Sequence, residues 1–357
     1  MKIYTRYLLK PYFSMLSLLT PVIIGIYLLI EFFDKLDNVT NAGLPFTFLF
    51  KYLVFKIPQI AFDTWPILIS LSGLLAMAYL ARGGELLAFR SLGFSSLKLA
   101  LPYLLTALIL TAGFTGLEEK ILPESTYHAI YLWAVKVQKK EPRGLLVKGK
   151  LFFRGVKSFF IGRALDPDAS YLQDVIYTKV NQEGQPIFIV WAKEARYQAG
   201  HWVFKNGLYK DRKDGFVPRW FREKVLPLEF SPSTVLVVKR IPRAQHLRDL
   251  LIQHSFLKKA RLPTTQADSE IAYRLLYPFI GPVLSAMSLF VLLGQRGRHA
   301  LGKGVSLGVL AILLGLAGFM FLKGVGDTGR LSPLLALPSG LLVLILVALI
   351  LFWLFRF

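Results

Sequence analysis

The sequence predicts a membrane α-helical bundle of six transmembrane helices with an inserted all-β domain of the jelly-roll type. Two numbers point to this class when they are taken together. The 357-residue chain is 54% hydrophobic, yet its formal net charge is +21. Intrinsic disorder combines high charge with low hydrophobicity and is therefore excluded, while a nucleic-acid-binding domain does not fit this apolar content. The apolar and the charged residues must occupy different stretches of the chain.

Six apolar runs are each long enough to cross a membrane as a helix, for which about 20 residues are needed. The first run is too long for a cleaved signal peptide and lacks a small-x-small cleavage site, so we expect it to be retained. The absence of cysteine excludes disulfides and thiolate sites. The runs cover residues 12–33, 57–81, 97–117, 271–293, 305–325 and 334–355. They define three predicted regions, namely residues 1–117 with spans one to three, the polar interval 118–270, and residues 271–357 with spans four to six.

The basic residues of the short loops predict the orientation, because cytoplasmic loops carry an excess of Lys and Arg. Ten basic residues fall on the side of the N-terminus and five on the other side. Both termini are therefore expected in the cytoplasm, and residues 118–270 outside it. The ten are Lys2, Arg6, Lys10, Arg82, Arg90, Lys98, Arg296, Arg298, Lys303 and Arg356, and the five are Lys35, Lys51, Lys56, Lys323 and Arg330.

Residues 118–270 have the pattern of a β domain. They hold 27 basic and 16 acidic residues, and a long translocated domain is not subject to the positive-inside rule. Short β-branched or aromatic segments alternate with turn residues, which is typical of a sandwich or jelly roll. The predicted strands include residues 151–153, 159–161, 175–180, 187–192, 202–204 and 235–238, with turns near 166–168, 183–184, 199–200, 206–207 and 214–215. Residues 243–259 have a helical period that leads towards the fourth span.

Motifs that mimic catalytic sites lack the context that such sites need. Residues 144–150 fit a phosphate-binding loop, but a leucine follows its lysine where a Ser or Thr would bind magnesium. Gly304-x-Ser306-x-Gly308 matches a nucleophile elbow, but no strand precedes it, so its small residues indicate close helix packing. The five histidines show no metal-ligand spacing. The sequence therefore predicts neither an enzyme active site nor a cofactor or metal bound by this chain.

The loop at residues 82–96, between the second and third spans, carries the clearest functional signal. It predicts a short cytoplasmic helix with a glycine where the helix would end. An acidic residue and a phenylalanine on such a helix suit docking into a groove of a cytoplasmic partner. An interfacial loop whose two arginines contact anionic headgroups fits equally well. The residues concerned are Arg82, Glu85, Phe89, Arg90 and Gly93.

A series of motifs extends along almost the whole chain. In order, they are Arg6-Tyr7; Phe33-Asp34-x-Leu36 with Ala42-Gly43; Pro58 and Pro66; Ala81-Arg82-x-x-Glu85-Leu86; Ser91-Leu-Gly93-Phe94-Ser95; Gly116-x-Glu118 with Pro123; Pro278 and Pro282; and Gly329-x-Leu-Ser-Pro333. This order, with a β domain of this size between spans three and four, resembles the LptF/LptG permeases of the ABC machine that extracts lipopolysaccharide from the bacterial inner membrane. The motif after the first span favours the LptG type.

The resemblance implies the partners and the architecture of a complex. Two paralogous permeases, LptF and LptG, would pair through their spans, and two copies of the cytoplasmic ATPase LptB would bind below and hold ATP and magnesium. The helix with Glu85 would be the coupling helix. The β-jelly roll would lie in the periplasm and pass lipopolysaccharide to the bridge protein LptA, with membrane-anchored LptC as a further partner. The chain itself would be an inner-membrane transport subunit without an ATPase site.

Residues at the outer ends of the first and fifth spans are candidates for lipid contact, because the resemblance implies lateral gates of a central cavity there. Glu31 stands where the family often has a basic residue. Lys35, one turn later, could reach a lipid phosphate, and a lysine at this depth also suits snorkelling to the interface. The candidates are Glu31, Lys35, Lys323 and Arg330, with Tyr27, Leu28, Phe32 and Phe319 as residues that would line the cavity.

Two other functions fit parts of the sequence. A membrane-anchored binding or scaffold protein would use the β domain to hold an anionic ligand, without any ATPase. A self-contained secondary transporter is disfavoured, because few ionisable residues lie deep in the spans. Association with an ABC ATPase through the loop at residues 82–96 distinguishes the permease from both.

Overall fold

The computed structural model describes residues 3–138, 144–147, 150–154, 158–164, 170–181, 183–198, 200–226, 242–259, 264–295 and 299–354. The chain divides into two compact units. The first, called the helical unit, comprises Met1–Leu36, Leu53–Ser125 and Thr265–Phe357. The second, called the β unit, comprises Asp37–Tyr52 and Thr126–Thr264.

Among the described residues, six helices are long and apolar enough to cross a membrane, which confirms the six predicted spans. They are α1, α2, α4, α6, α7 and α8, while α3 and α5 are shorter. The helices are α1 (Ile3–Asn41), α2 (Phe46–Arg82), α3 (Glu85–Ser91), α4 (Ser96–Leu132), α5 (Leu247–Lys259), α6 (Thr265–Gly294), α7 (Ala300–Asp327) and α8 (Pro333–Leu354).

Three of the spanning helices extend well beyond the predicted apolar runs. α1 has 39 residues, and α2 and α4 have 37 each, so each is roughly 55 to 60 Å long at 1.5 Å per residue. Because the hydrocarbon core is only ~30 Å thick, each helix must project beyond it. α4 passes the end of its apolar run at residue 117, and a π-helical turn, Trp133–Val137, follows it.

α2 and α6 are the most buried spans of the helical unit. In each of them 67% of the most apolar window is buried, against none of the corresponding window of α1. Tyr277 of α6 packs against Phe62 of α2 with 5.4 Å between the ring centroids. α7 approaches α6 closely, since a Cβ added to Gly304 would lie 3.1 Å from the Cα of Leu292. The small residues of α7 therefore serve close helix packing, as the sequence predicts.

The β unit contains an antiparallel sheet of seven described strands, in which each strand pairs with the next one along the chain. One face carries an aromatic core that includes Phe160, Tyr177, Trp202 and Phe204, all at most 3% exposed. The inserted β domain is therefore confirmed. Its described strands follow the sequential order of a meander rather than the Greek-key order of a jelly roll. The strands are β1 (Gly144–Val147), β2 (Lys150–Arg154), β3 (Ser158–Ala164), β4 (Tyr171–Val180), β5 (Pro186–Gln198), β6 (His201–Asp211) and β7 (Arg219–Leu226).

Local differences from the sequence-based expectation concern two strands and one turn. The segment that mimics a phosphate-binding loop begins as β1, which pairs with β2 instead of curling around a ligand. β7 is an additional strand, and its charged residues hide the apolar alternation. Asn206 and Gly207, expected as a turn, lie inside β6, where Asn206 takes a φ of 54°. The strand expected at residues 235–238 lies outside the described residues, and α5 confirms the helical period before the fourth span.

Candidate functional site

α3 lies between α2 and α4 and is joined to both by tight glycine turns. Gly84 precedes it with a φ of 76°, and Gly93 follows it with a φ of 80°, a region that glycine adopts without steric cost. The Gly93 N–H bonds to the Arg90 carbonyl at 3.0 Å, and the Phe94 N–H bonds to the Phe89 carbonyl at 3.1 Å. These two bonds form a Schellman-type helix end. Gly93 therefore ends the helix at the predicted place.

Two of the predicted coupling residues bind groups of the same chain. The Tyr7 hydroxyl of α1 donates a hydrogen bond to Oε2 of Glu85 at 2.6 Å. Nη2 of Arg90 donates to the backbone carbonyl oxygen of Leu293 in the last turn of α6. The Phe89 ring lies beside the Tyr7 ring, with 6.3 Å between centroids. α3 is thus fastened to α1 and α6, which are not its neighbours in the sequence.

The outward side of α3 is formed by residues that the sequence pattern does not single out. Leu87 and Leu92 are each 74% exposed, and Arg82 at the end of α2 is exposed as well. Leu86, by contrast, packs against the core of the helical unit. Large exposed apolar side chains at and just after a short helix favour an interaction surface. The sequence carries this signal only weakly, because the phase of a two-turn helix decides which of two adjacent leucines faces outward.

The charged candidates on α1 lie close to other charged groups. Oε1 of Glu31 is 4.0 Å from Nζ of Lys56 on α2, and Nζ of Lys35 is 2.5 Å from Oδ2 of Asp34. The Lys35 side chain is 26% exposed. Both groups remain near the surface of the helical unit, where a lipid headgroup could compete for them. The apolar candidates of α1 are all at least partly exposed: Tyr27, Leu28 and Phe32.

Lys323 belongs to a small polar group that connects the end of α7 with the start of α6. Its Nζ lies 2.7 Å from Oδ2 of Asp327, one turn later on α7. The same Nζ lies over the Tyr273 ring, 5.0 Å from the centroid. The Ser269 hydroxyl of α6 donates a hydrogen bond to Oδ1 of Asp327. Lys323 is therefore held in place by a carboxylate and an aromatic ring of its own chain.

The structure separates the remaining two lipid candidates. Phe319 is 1% exposed and lies in the core of the helical unit. Its ring centroid is 6.2 Å from that of Tyr277. Arg330 is exposed in the turn between α7 and α8. Phe319 therefore packs in the core, whereas Arg330 is exposed. Contact of either residue with lipid stays a prediction.

A buried ion cluster lies where α4 and α6 meet, and the sequence pattern does not single it out. The Arg274 side chain is 2% exposed. Its Nε donates to Oε1 of Glu270 at 3.0 Å, and its Nη1 lies 3.5 Å from Oε2 of Glu119. The spacing of Glu270 and Arg274, four residues apart at the start of a span, is the signal that could have found it.

The hairpin of β6 and β7 carries a second polar cluster. The Tyr209 hydroxyl donates to Oδ2 of Asp211 at 2.8 Å, and the Lys213 N–H donates to Oδ1 at 2.9 Å. These two bonds, led by the backbone one, lower the pKa of Asp211. Burial, with the bond to Asp211, raises the pKa of Tyr209 to about 12. Lys224 lies over the Tyr209 ring at 3.2 Å, and burial lowers its pKa.

Within the described ranges, no group of three or more His, Asp or Glu side chains is placed to hold a metal ion.

Comparison with known proteins identifies the family. No curated protein sequence matches the chain. The family model described as lipopolysaccharide export system permease LptF/LptG matches residues 6–356. The chain therefore belongs to the LptF/LptG family of lipopolysaccharide export permeases, multi-pass proteins of the inner membrane that are not themselves enzymes.

Proposed function

We propose that the chain is the permease subunit of an ABC transporter that extracts lipopolysaccharide from the inner membrane and passes it to a periplasmic bridge protein, LptA. A cytoplasmic dimer of the ATPase LptB supplies the energy. The observation that carries this proposal is α3, a short helix held between two glycine turns, with Leu87 on the helix and Leu92 just after it both exposed. A permease without its own nucleotide site needs such a surface to receive work from a partner.

The exposed side of α3 has the chemistry of a docking helix. Two leucines at 74% exposure supply apolar area, which is the dominant favourable term in most protein association. Glu85 and Arg82 belong to the same short segment of the chain and would add charged contacts. The hydrogen bond from Tyr7 does not prevent this role, because an ionised carboxylate accepts several hydrogen bonds at once.

The orientation proposed for the chain follows from its charges. With both termini in the cytoplasm, α3 lies on the ATPase side and the β unit lies in the periplasm. The basic excess of residues 118–270 suits a polyanionic glycolipid. ATP and magnesium bind to the partner, and this chain responds by moving its helices. A paralogous permease completes the cavity, and the unburied apolar window of α1 supports such pairing. Membrane-anchored LptC would be a further partner.

Co-purification with an ABC ATPase tests the proposal. Leu87→Glu places a charge on the apolar side of α3 and should abolish association with the ATPase, while the thermal midpoint of the permease stays unchanged. Glu183→Lys, in the exposed turn between β4 and β5, is the matched control and should leave association intact. A wild-type chain that binds no ATPase and still holds anionic glycolipid would favour the membrane-anchored binding protein instead.

A further inference from the structure

The contacts of α3 decide which spanning helices its movement reaches. The chain connects α3 to α2 and α4 through turns at Gly84 and Gly93. Its side chains bind elsewhere, because Glu85 accepts the hydrogen bond of Tyr7 on α1 and Arg90 donates to a carbonyl of α6. α3 is therefore bonded to two helices that are not its covalent neighbours.

Each of the two bonds has one charged partner, and the bond of Tyr7 lies at an exposed position. The Tyr7 bond is charge-assisted, since its acceptor is a carboxylate, and it spans 2.6 Å. The acceptor of Arg90 is the Leu293 carbonyl in the last turn of α6, where carbonyl oxygens have no partner within the helix. A guanidinium is also favoured at the negative end of the helix dipole. α3 is thus hydrogen-bonded to α1 at its first turn and to α6 at its last turn.

Aromatic packing strengthens the connection to α1. The Tyr7 and Phe89 ring centroids are 6.3 Å apart, Phe89 and Phe94 are 5.4 Å apart, and Tyr4 and Phe94 are 5.3 Å apart. Rings at such distances attract each other beyond their apolar area. Tyr4 and Tyr7 of α1 therefore pack in one cluster with Phe89 of α3 and Phe94 just after it, so the start of α1 and α3 should move together.

The segment of α1 next to Tyr7 is packed firmly against its own chain. Just beyond Tyr7, Leu8 and Tyr12 are fully buried, and the Tyr103 hydroxyl of α4 donates to the Leu8 carbonyl at 2.8 Å. Pro11 has no N–H for the carbonyl of Tyr7, which weakens the helix at this place. Beyond it, the most apolar window of α1 is unburied. α1 is therefore packed more tightly beside Tyr7 than along its apolar window.

We propose that Tyr7 and Arg90 are positioning residues that convert movement of α3 into movement of α1 and α6. This inference rests on the proposed function, since it assumes that an ATPase moves α3. Tyr7 directly precedes the packed segment of α1 that contains Leu8 and Tyr12, so a pull on Tyr7 acts on that segment. A shift of α3 tilts α1 through the Tyr7–Glu85 bond, and Arg90 carries the same shift to α6.

The test is Tyr7→Phe in the complete complex with its ATPase, in vesicles that contain lipopolysaccharide, with ATP hydrolysis and lipid release measured together. The variant keeps the ring contact with Phe89 and loses only the hydroxyl. ATPase association, the thermal midpoint and ATP hydrolysis should be unchanged, while the lipid released per ATP should fall about tenfold, as expected for a lost hydrogen bond to a carboxylate. Tyr4→Phe, on the same helix and against the same cluster, is the control and should release lipid normally.

The outcomes separate this inference from the proposed function. A wild-type complex that binds no ATPase or releases no lipid would overturn the proposed function itself. If the wild-type complex works and Tyr7→Phe releases as much lipid per ATP, the positioning role of Tyr7 is wrong. If Tyr7→Phe fails to bind the ATPase, the hydroxyl serves docking rather than transmission, and the inference is overturned as well. Arg90→Gln, measured in the same way, tests the connection between α3 and α6 independently.

Discussion

The guanidinium of Arg274 on α6 lies 3.5 Å from the carboxylate of Glu119 on α4, with only 2% of the arginine side chain exposed. The same guanidinium donates to Glu270, one turn earlier on α6, at 3.0 Å. Arginine stays charged in proteins and binds carboxylates in a fixed, planar geometry. The three side chains therefore fix the distance and the rotation between α4 and α6, which apolar packing alone leaves less well defined.

Removal of Arg274 should destabilise the helical unit. Arg274→Ala takes a positive charge away from two carboxylates in a buried setting and should cost about 3 kcal/mol. Arg274→Lys keeps the charge but not the fork of donors, so it should cost less. Thermal unfolding of the purified protein in detergent measures both, with Arg222→Ala on the exposed side of β7 as the control. An Arg274→Ala midpoint equal to that of the wild type would contradict the structural role.

Two glycines of α7, one packed against α6 and one in open space, should respond oppositely to the same substitution. At Gly304 a Cβ would lie 2.6 Å from Cδ1 and 3.1 Å from Cα of Leu292, and a backbone atom cannot move aside cheaply. Gly304→Ala should therefore destabilise by roughly 1 to 3 kcal/mol. At Gly318 nothing lies within 4 Å, so Gly318→Ala should be neutral or stabilise by about 0.5 to 1 kcal/mol through helix propensity. The melting midpoints of the two variants test this, and equal shifts would refute the packing argument.

The spans were predictable because membrane insertion imposes one strong constraint, a continuous apolar stretch of about 20 residues. What the sequence could not supply was where the helices end, since α4 continues through polar residues to Leu132 without an apolar signal. In the β unit the same limit appears at Asn206 and Gly207. A dipeptide typical of turns lies inside β6, because pairing with β5 and β7 on both sides outweighs local preference.

The candidate site was predictable in its position and not in its contacts. Glu85 and Gly93 stand out because an acidic residue opens a short helix and a glycine ends it. The partner of Glu85 is Tyr7, which lies 78 residues away in the chain, and no spacing rule links residues so distant. Likewise, Arg90 binds a backbone carbonyl of Leu293, an acceptor that every residue carries and no sequence pattern reveals.

The pKa of Asp211 gives a test of the β6–β7 hairpin. It is lowered first by the Lys213 N–H and then by the Tyr209 hydroxyl, so the ionised carboxylate stabilises the fold above its ordinary pKa near 3.9. That stabilisation is lost as the pH falls through the lowered pKa. Tyr209→Phe should raise the pKa of Asp211 part of the way, because the backbone bond remains.

Carbon-13 NMR of aspartate-labelled protein measures this pKa, with the resonance assigned through Asp211→Asn. Tyr171→Phe, in the first residue of β4, removes a hydroxyl elsewhere in the same sheet and should leave the titration of Asp211 unchanged. An Asp211 pKa that does not rise in Tyr209→Phe would mean that the 2.8 Å contact is not a hydrogen bond in solution.

Substitutions of the two partners of the Lys323–Asp327 ion pair should have opposite effects on lipid binding. If Lys323 binds lipid phosphate, the carboxylate 2.7 Å away competes with that phosphate for the same ammonium group. Asp327→Asn should then strengthen the binding of lipopolysaccharide, and Lys323→Met should weaken it, each by about threefold for a partly exposed pair. Titration of the purified protein with lipopolysaccharide and with a dephosphorylated form measures both effects. The difference should vanish for the dephosphorylated lipid, and weaker binding by Asp327→Asn would show that the pair serves helix packing instead.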